Sequence, residues 1–213
     1  MTNPSPEELN SYVSTLENAF NNSMLSDINI AMKGNANLGA LILMLCAIDC
    51  LKTYRYGVEA IDMITFNKLK GLYPGDTRLE GKITGPNSKY YISFLKEYLL
   101  PLNSNYNVEY IYIGLRCGLI HSYTENIFDN NRSLFQIVRS TMKQNISQLK
   151  KEIIHLQTKI NNNPIFILDE FYQDFKNACN AFFVCAKTDE KIKINIFEVK
   201  SFLGIFESKH IFD

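Results

Sequence analysis

An arginine, a histidine and a tyrosine sit close together on one apolar stretch, Leu115-Arg116-Cys117-Gly118-Leu119-Ile120-His121-Ser122-Tyr123. Arginine and histidine are costly to bury unless they are paired, so their place among leucines and isoleucines needs a reason. An arginine is a permanent cation with a fork of donors suited to phosphate. A histidine takes or gives a proton near neutral pH. Metal-free cleavage of RNA needs a base for the 2′-hydroxyl proton and a cation for the charge that builds on the phosphoryl oxygens. It also needs an acid for the leaving 5′-oxygen. Arg116 as phosphate clamp and His121 as base or acid are the smallest set that could do this, leaving 2′,3′-cyclic phosphate and 5′-hydroxyl ends. That chemistry calls for no metal and no cofactor.

The order Arg116, four residues, His121, one residue, Tyr123, preceded by the apolar flank Ile111 to Leu115, resembles the signature of the HEPN superfamily (higher eukaryotes and prokaryotes nucleotide-binding domains). The wider wording LRCGLIHSY is similar to that of bacterial HEPN-like proteins. The resemblance implies a mainly all-α fold, an antiparallel helical bundle with extra helices. It implies a homodimer in which two motifs meet across a two-fold axis to make one shared site. Many members are ribonucleases or the toxin half of toxin–antitoxin pairs, so it also implies RNA as substrate. In some members the tyrosine is nucleotidylated by a partner antitoxin, which makes Tyr123 a regulatory candidate and an antitoxin or nucleotidyltransferase a candidate partner. The family usually places a polar residue, often Asn, directly after the arginine. Cys117 stands there, and a thiol is a weak donor and acceptor. An acidic residue on an earlier helix often accompanies the motif, and Asp49, the one break in an apolar helix, is the candidate.

Two readings compete with an endoribonuclease. One is a non-catalytic HEPN-like nucleotide- or protein-binding dimerisation module. In it Arg116 pairs with Asp49 to hold helices in register, His121 is a satisfied core histidine and Tyr123 packs. The other is an unrelated helical interaction protein. Cys117 and the charge balance favour the module; the conjunction of Arg116, His121 and Tyr123 favours the enzyme. There is also a geometric obstacle. On an ideal α-helix residues five apart are offset by about 140°. Arg116 and His121 therefore miss a common point unless the helix ends or bends. Gly118 lies between them and permits a bend, and a second copy of the motif would relieve the problem.

The elements that must position these residues follow from periodicity and punctuation. Ser5-Pro6-Glu7-Glu8 is a helix start with a capping box. The helix is expected to run to about Asn22, with Leu9, Val13, Leu16 and Phe20 as its buried stripe. A second helix, from about Asn37 to Tyr56, is apolar nearly all round at Leu38 to Leu51 and should be central; Gly57 stops it. Gly71, Pro74, Gly75, Gly81, Gly85 and Pro86 mark a loop over about 69–86, with no phosphate-binding Gly-Lys-Ser/Thr pattern. Helices are expected over Asn87–Leu100, ended by Pro101, and over Val108 to about Tyr123. Within Ser133–Ile160 a hairpin packed on the bundle and a long helix fit equally. Asn161-Asn162-Asn163-Pro164 breaks the chain, and Phe166 to about Ala186 is a final long helix. A charged turn at Thr188–Lys193 precedes an apolar C-terminal piece, part of an extension over about 188–213. All of this fits one helical domain over 1–213.

With 213 residues, 46% of them hydrophobic, the chain can bury a sizeable core. Its 22 basic and 22 acidic residues give a formal net charge of +0, which argues against a dedicated duplex-binding protein. Five cysteines, an odd number without a CxxC pair, argue against a disulfide framework or a zinc site and for a reducing cytoplasm. His155 and His210 lack ligand-type neighbours at metal spacing and read as surface or incidental residues. Lys150-Lys151 and Lys187, Lys191 and Lys193 read as solvated faces. Met1 to Asn10 has no signal-peptide core. The longest apolar run, Ala40 to Ile48, is far short of the ~20 residues a membrane span needs, so no membrane role is expected.

Overall fold

The computed structural model describes residues 4–61, 87–117, 136–139, 155–160 and 163–210. The Gly/Pro-rich stretch at 69–86, Gly118, His121 and Tyr123 lie outside the described residues, as do Lys150 and Lys151. The fold is mainly helical, as expected.

Helix α1 (Pro6–Ala19) starts as its sequence dictates. The Ser5 hydroxyl accepts from the Glu8 amide at 3.2 Å, and Glu8 Oε2 accepts from the Ser5 amide at 2.7 Å. It does not stop near Asn22. The backbone continues through a π-helical segment, Phe20–Leu25, into α2 (Ser26–Lys33). Leu9, Val13, Phe20, Ile28 and Met32 are buried along this composite helix, and Gly34 and Asn35 close it.

Helix α3 (Asn37–Tyr56) has the expected bounds and is the centre of the bundle. It packs against α2, against α4 (Asn87–Phe94) and against the two C-terminal helices α6 (Leu168–Thr188) and α7 (Glu190–His210). Asn37–Ala60 is long and apolar enough to cross a membrane, with mean hydropathy 1.4. Half of that window is buried inside the protein, which is consistent with the core helix of a soluble protein. Gly57 ends α3 at φ +78°. A Cβ there would lie 2.8 Å from Asn195 Oδ1 of α7, whose Nδ2 donates to the Arg55 carbonyl at 2.8 Å, so both conformation and space require glycine.

Helix α4 continues through a second π-helical segment, Leu95–Leu99. It brings Tyr91, Phe94, Leu95 and Tyr98 to the core, where Phe94 and Tyr98 meet Phe182 of α6. Helix α5 (Val108–Tyr110) also becomes π-helical, over Ile111–Cys117. Two corrections concern the last helices. Phe166 is in a strand, and α6 begins only at Leu168. Only Asp189 separates α6 from α7, so the expected charged turn is mostly helix. Asp189 Oδ1 accepts from the amides of Lys191 and Ile192 and caps α7. α7 buries Ile192, Ile196 and Val199 against α1 and α3, so this part of the expected extension belongs to the core.

A small three-stranded sheet sits beside the bundle in the order β1-β3-β2, formed by β1 (Gln136–Val138), β2 (Lys159–Ile160) and β3 (Asn163–Ile167). β2 pairs antiparallel with β3, with Ile160 opposite Asn163; β1 pairs parallel with β3, with Ile137 opposite Phe166. The antiparallel pair therefore spans Lys159–Ile167, across the break that the sequence suggests, while most of 133–160 lies outside the described residues. Arg139 fastens β1 to the bundle. It donates to the Met32 carbonyl, to Asn37 Oδ1 and to Asp169. Leu156, ahead of β2, is held at φ +61°, a left-handed conformation that costs a leucine about 1–2 kcal/mol. Its amide bonds to the Ile165 carbonyl at 2.8 Å and its side chain is buried.

Candidate functional site

Arg116 reaches α3 through a helix that is not wound as an α-helix. Asn107 caps α5, its Oδ1 accepting from the Tyr110 amide at 3.0 Å. Val108, Ile111 and Leu115 form the buried face, while Tyr110 and Ile113 are exposed. From Ile111 onward each backbone bond spans five residues, so side chains five apart come to lie near one another. Tyr112 and Cys117, five apart, come close enough for the thiol to raise the Tyr112 hydroxyl, and the Arg116 guanidinium lies 5.7 Å from the centre of the Tyr112 ring.

Asp49 receives the guanidinium. Its Oδ2 accepts from Arg116 Nε at 2.9 Å and from Nη2 at 2.7 Å. Its Oδ1 lies 3.2 Å from Lys52 Nζ, one turn along α3. Lys52 is only 2% exposed, and its ammonium donates to the Ala60 carbonyl and to Asn87 Oδ1. One carboxylate thus serves two cations on the rim of the bundle, where the side chains of Asp49 and Arg116 are 21% and 14% exposed. Burial works against the Arg116 charge. The charge and hydrogen bonds of Asp49 outweigh it and hold the guanidinium above its ordinary value.

The groups around the pair are pushed toward their neutral forms. Burial and then the Asp49 charge raise the Cys46 thiol, and the same two causes push Cys50 up to about 11. Burial and the neighbouring Cys117 push Tyr112 up to about 12. Tyr91, fully buried, donates its hydroxyl to the Leu45 carbonyl at 3.3 Å and is raised chiefly by burial. Cys46 and Cys50 thus remain thiols at neutral pH, which disfavours thiolate nucleophiles there. All five cysteines are free, and Cys185 is exposed. Among the described residues no group of three or more His, Cys, Asp or Glu is placed to hold a metal ion.

The fold therefore brings together Asp49 and Arg116, and places Cys117 against Tyr112 beside them. It also contains a polar cluster that sequence reasoning missed. His155, read from sequence as a surface or incidental residue, is 2% exposed. Its burial is tolerable because both ring nitrogens are used. Nδ1 accepts from the Ile167 amide at 2.8 Å, and Nε2 lies 3.2 Å from the Tyr106 hydroxyl. Tyr106 in turn donates to Asp174 Oδ2 of α6 at 2.7 Å. The rings of Phe166 and Phe171 enclose the group. The available signal was the apolar setting Ile153-Ile154-His155-Leu156, which argues for a core histidine. Tyr106 and Asp174 gave no signal at all. Lys187, from the C-terminal lysine group, pairs with Glu17 as a solvated face would, whereas Lys193, paired with Glu190, has a largely covered side chain.

Comparisons with protein families, with curated proteins and with solved structures find no match to this chain.

Proposed function

We propose that this chain is a HEPN-type, metal-independent endoribonuclease that works as a cytoplasmic homodimer in a toxin–antitoxin or phage-defence setting. Arg116 clamps the scissile phosphate. His121 moves the proton at the 2′-hydroxyl or the 5′-oxygen, Asp49 fixes the guanidinium, and Tyr123 is the position at which an antitoxin or nucleotidyltransferase acts. The observation that carries the reading is the π winding of Ile111–Cys117. A spacing of five, as between Arg116 and His121, is awkward on an α-helix and natural on a π-helix, as the meeting of Tyr112 and Cys117 illustrates; His121 itself lies outside the described residues. π-helical turns recur at functional sites for this kind of reason.

A second reading has its own support. Two donors of Arg116 are committed to Asp49 and its side chain is largely covered, as befits a pin that holds α5 on α3 in a non-catalytic HEPN-like binding module.

Cleavage of a mixed-sequence RNA in EDTA separates the two. Wild type, Arg116→Ala and His121→Ala are compared after each is shown to be folded and dimeric. The enzyme reading expects cyclic-phosphate ends from wild type and at least about a hundredfold loss in each variant, the usual scale for removing an acid–base group or charge-stabilising donor. Inert wild type, or cleavage that survives both substitutions, moves the assignment to the binding module.

A further inference from the structure

We propose that the Ile167–His155 bond, within the chain Ile167–His155–Tyr106–Asp174, is an acid-released latch on the junction of β3 and α6. The hydrogen bonds run in one direction. The Ile167 N–H donates to Nδ1, so Nε2 carries the imidazole proton and donates to the Tyr106 oxygen, and the Tyr106 hydroxyl donates to Asp174. Only the neutral Nε2–H tautomer completes this series. Uptake of a proton from solvent at Nδ1 sets N–H against N–H, and the bond to Ile167 must break.

Ile167 and Tyr106 both lie at junctions. Ile167 is the last residue of β3 and directly precedes α6. Tyr106 directly precedes Asn107, the cap of α5. Among the described residues the imidazole meets Tyr106 from the α4–α5 connection, and behind Tyr106 lie Asp174 and Glu170 of α6. Asp169 of α6 is engaged by Arg139 next to β1, and β3 contributes the uncharged Phe166 ring. Leu156, adjoining His155, is held in a left-handed conformation by its bond to Ile165. Opening the turn relieves that strain and so favours release once the proton is on. Such a latch is a property of the fold and serves an RNA-cleaving chain and a scaffold alike. Its effect is to open the junction of β3 with α6, while Tyr106, still bonded to Asp174, keeps the beginning of α5 on α6.

The test is a pH titration of the full-length, ¹⁵N-labelled protein between about pH 7.5 and pH 4.5, the range in which a histidine changes charge. The ring nitrogens of His155 report its protonation, and amide exchange at Ile167 reports the bond. The expected result is that exchange at Ile167, taken relative to its intrinsic rate at each pH, rises about tenfold or more as the imidazole takes its proton, by local opening. An imidazole that stays neutral in the folded chain throughout, or one that is protonated while Ile167 exchange relative to its intrinsic rate is unchanged, overturns the latch. His155→Asn supplies an acceptor for Ile167 that takes no proton. Its Tm is expected to lack the acid-dependent fall that wild type shows, and parallel Tm curves for the two proteins also overturn the proposal.

Discussion

Two polar assemblies hold the helix that carries Arg116, one near each end, and they are built on opposite principles. Asp49, Lys52 and Arg116 are full charges at the rim, joined by a shared carboxylate. His155, Tyr106 and Asp174 form a relay of single hydrogen bonds, two of its three side chains buried among phenylalanine rings. The first gains from attraction between opposite charges and tolerates some water. The second depends on every donor meeting an acceptor, because an unmet polar group in the core costs more than the bond was worth. Charge fixes Arg116 where a ligand could reach it; satisfied neutrality fixes Tyr106 where nothing should.

The comparison can be broken by removing the central member of each assembly. Asp49→Ala should have the largest effect, because it leaves Arg116 and the buried Lys52 facing each other across the missing carboxylate. A loss of about 3 kcal/mol is expected, at the low end for breaking a buried pair because Asp49 is partly solvated. Urea unfolding checks it, and a loss under about 1 kcal/mol would mean that the pair behaves as an ordinary surface bridge. Tyr106→Phe should come next. It keeps the ring and strands both the Nε2–H and Asp174 Oδ2, a cost of about 2 kcal/mol by the same measurement. If it costs more than Asp49→Ala, the ranking of rim charge over core relay is wrong.

The smallest effect sharpens the second assembly by its pH dependence. Burial raises Asp174 above the usual carboxylate range, against the opposing pull of the Tyr106 hydroxyl, and Glu170 adds to the rise. A carboxylate raised on folding stabilises the fold below its unfolded value near 3.9, and that contribution is lost as pH climbs through the folded value. Asp174→Asn keeps an acceptor for Tyr106 and removes the charge. Relative to wild type it should gain modestly at pH 7 and gain nothing at pH 3. Stability curves for the two proteins that stay parallel from pH 3 to pH 7 would show that Asp174 carries no such burden.

What could be read from sequence follows the same division. Asp49 and Arg116 each interrupt an apolar helix, so each advertises its need for a partner, and pairing them requires only that the two helices touch. The bounds of α3 and the start of α1 were equally legible, since Gly57, Ser5, Pro6 and Glu8 act locally. The relay was not legible, because Tyr106, His155 and Asp174 come from three separate segments and none breaks a pattern alone. Phe166 looked like the first apolar residue of the last helix. Pairing with Ile137 on another strand, a long-range event, claims it for β3.

The π-helical segments have a consequence for how this chain can change. On an unbroken α-helix Val13 and Met32 would point about 100° apart, yet both are buried on the same composite helix. The wider turn at Phe20–Leu25 takes up one residue too many and returns the later stripe to the core. Leu95–Leu99 and Ile111–Cys117 store a spare residue in the same way. These are the places where a single-residue deletion can shorten a helix without turning its buried side chains toward water, while the same deletion in the regular α3 would rotate everything beyond it.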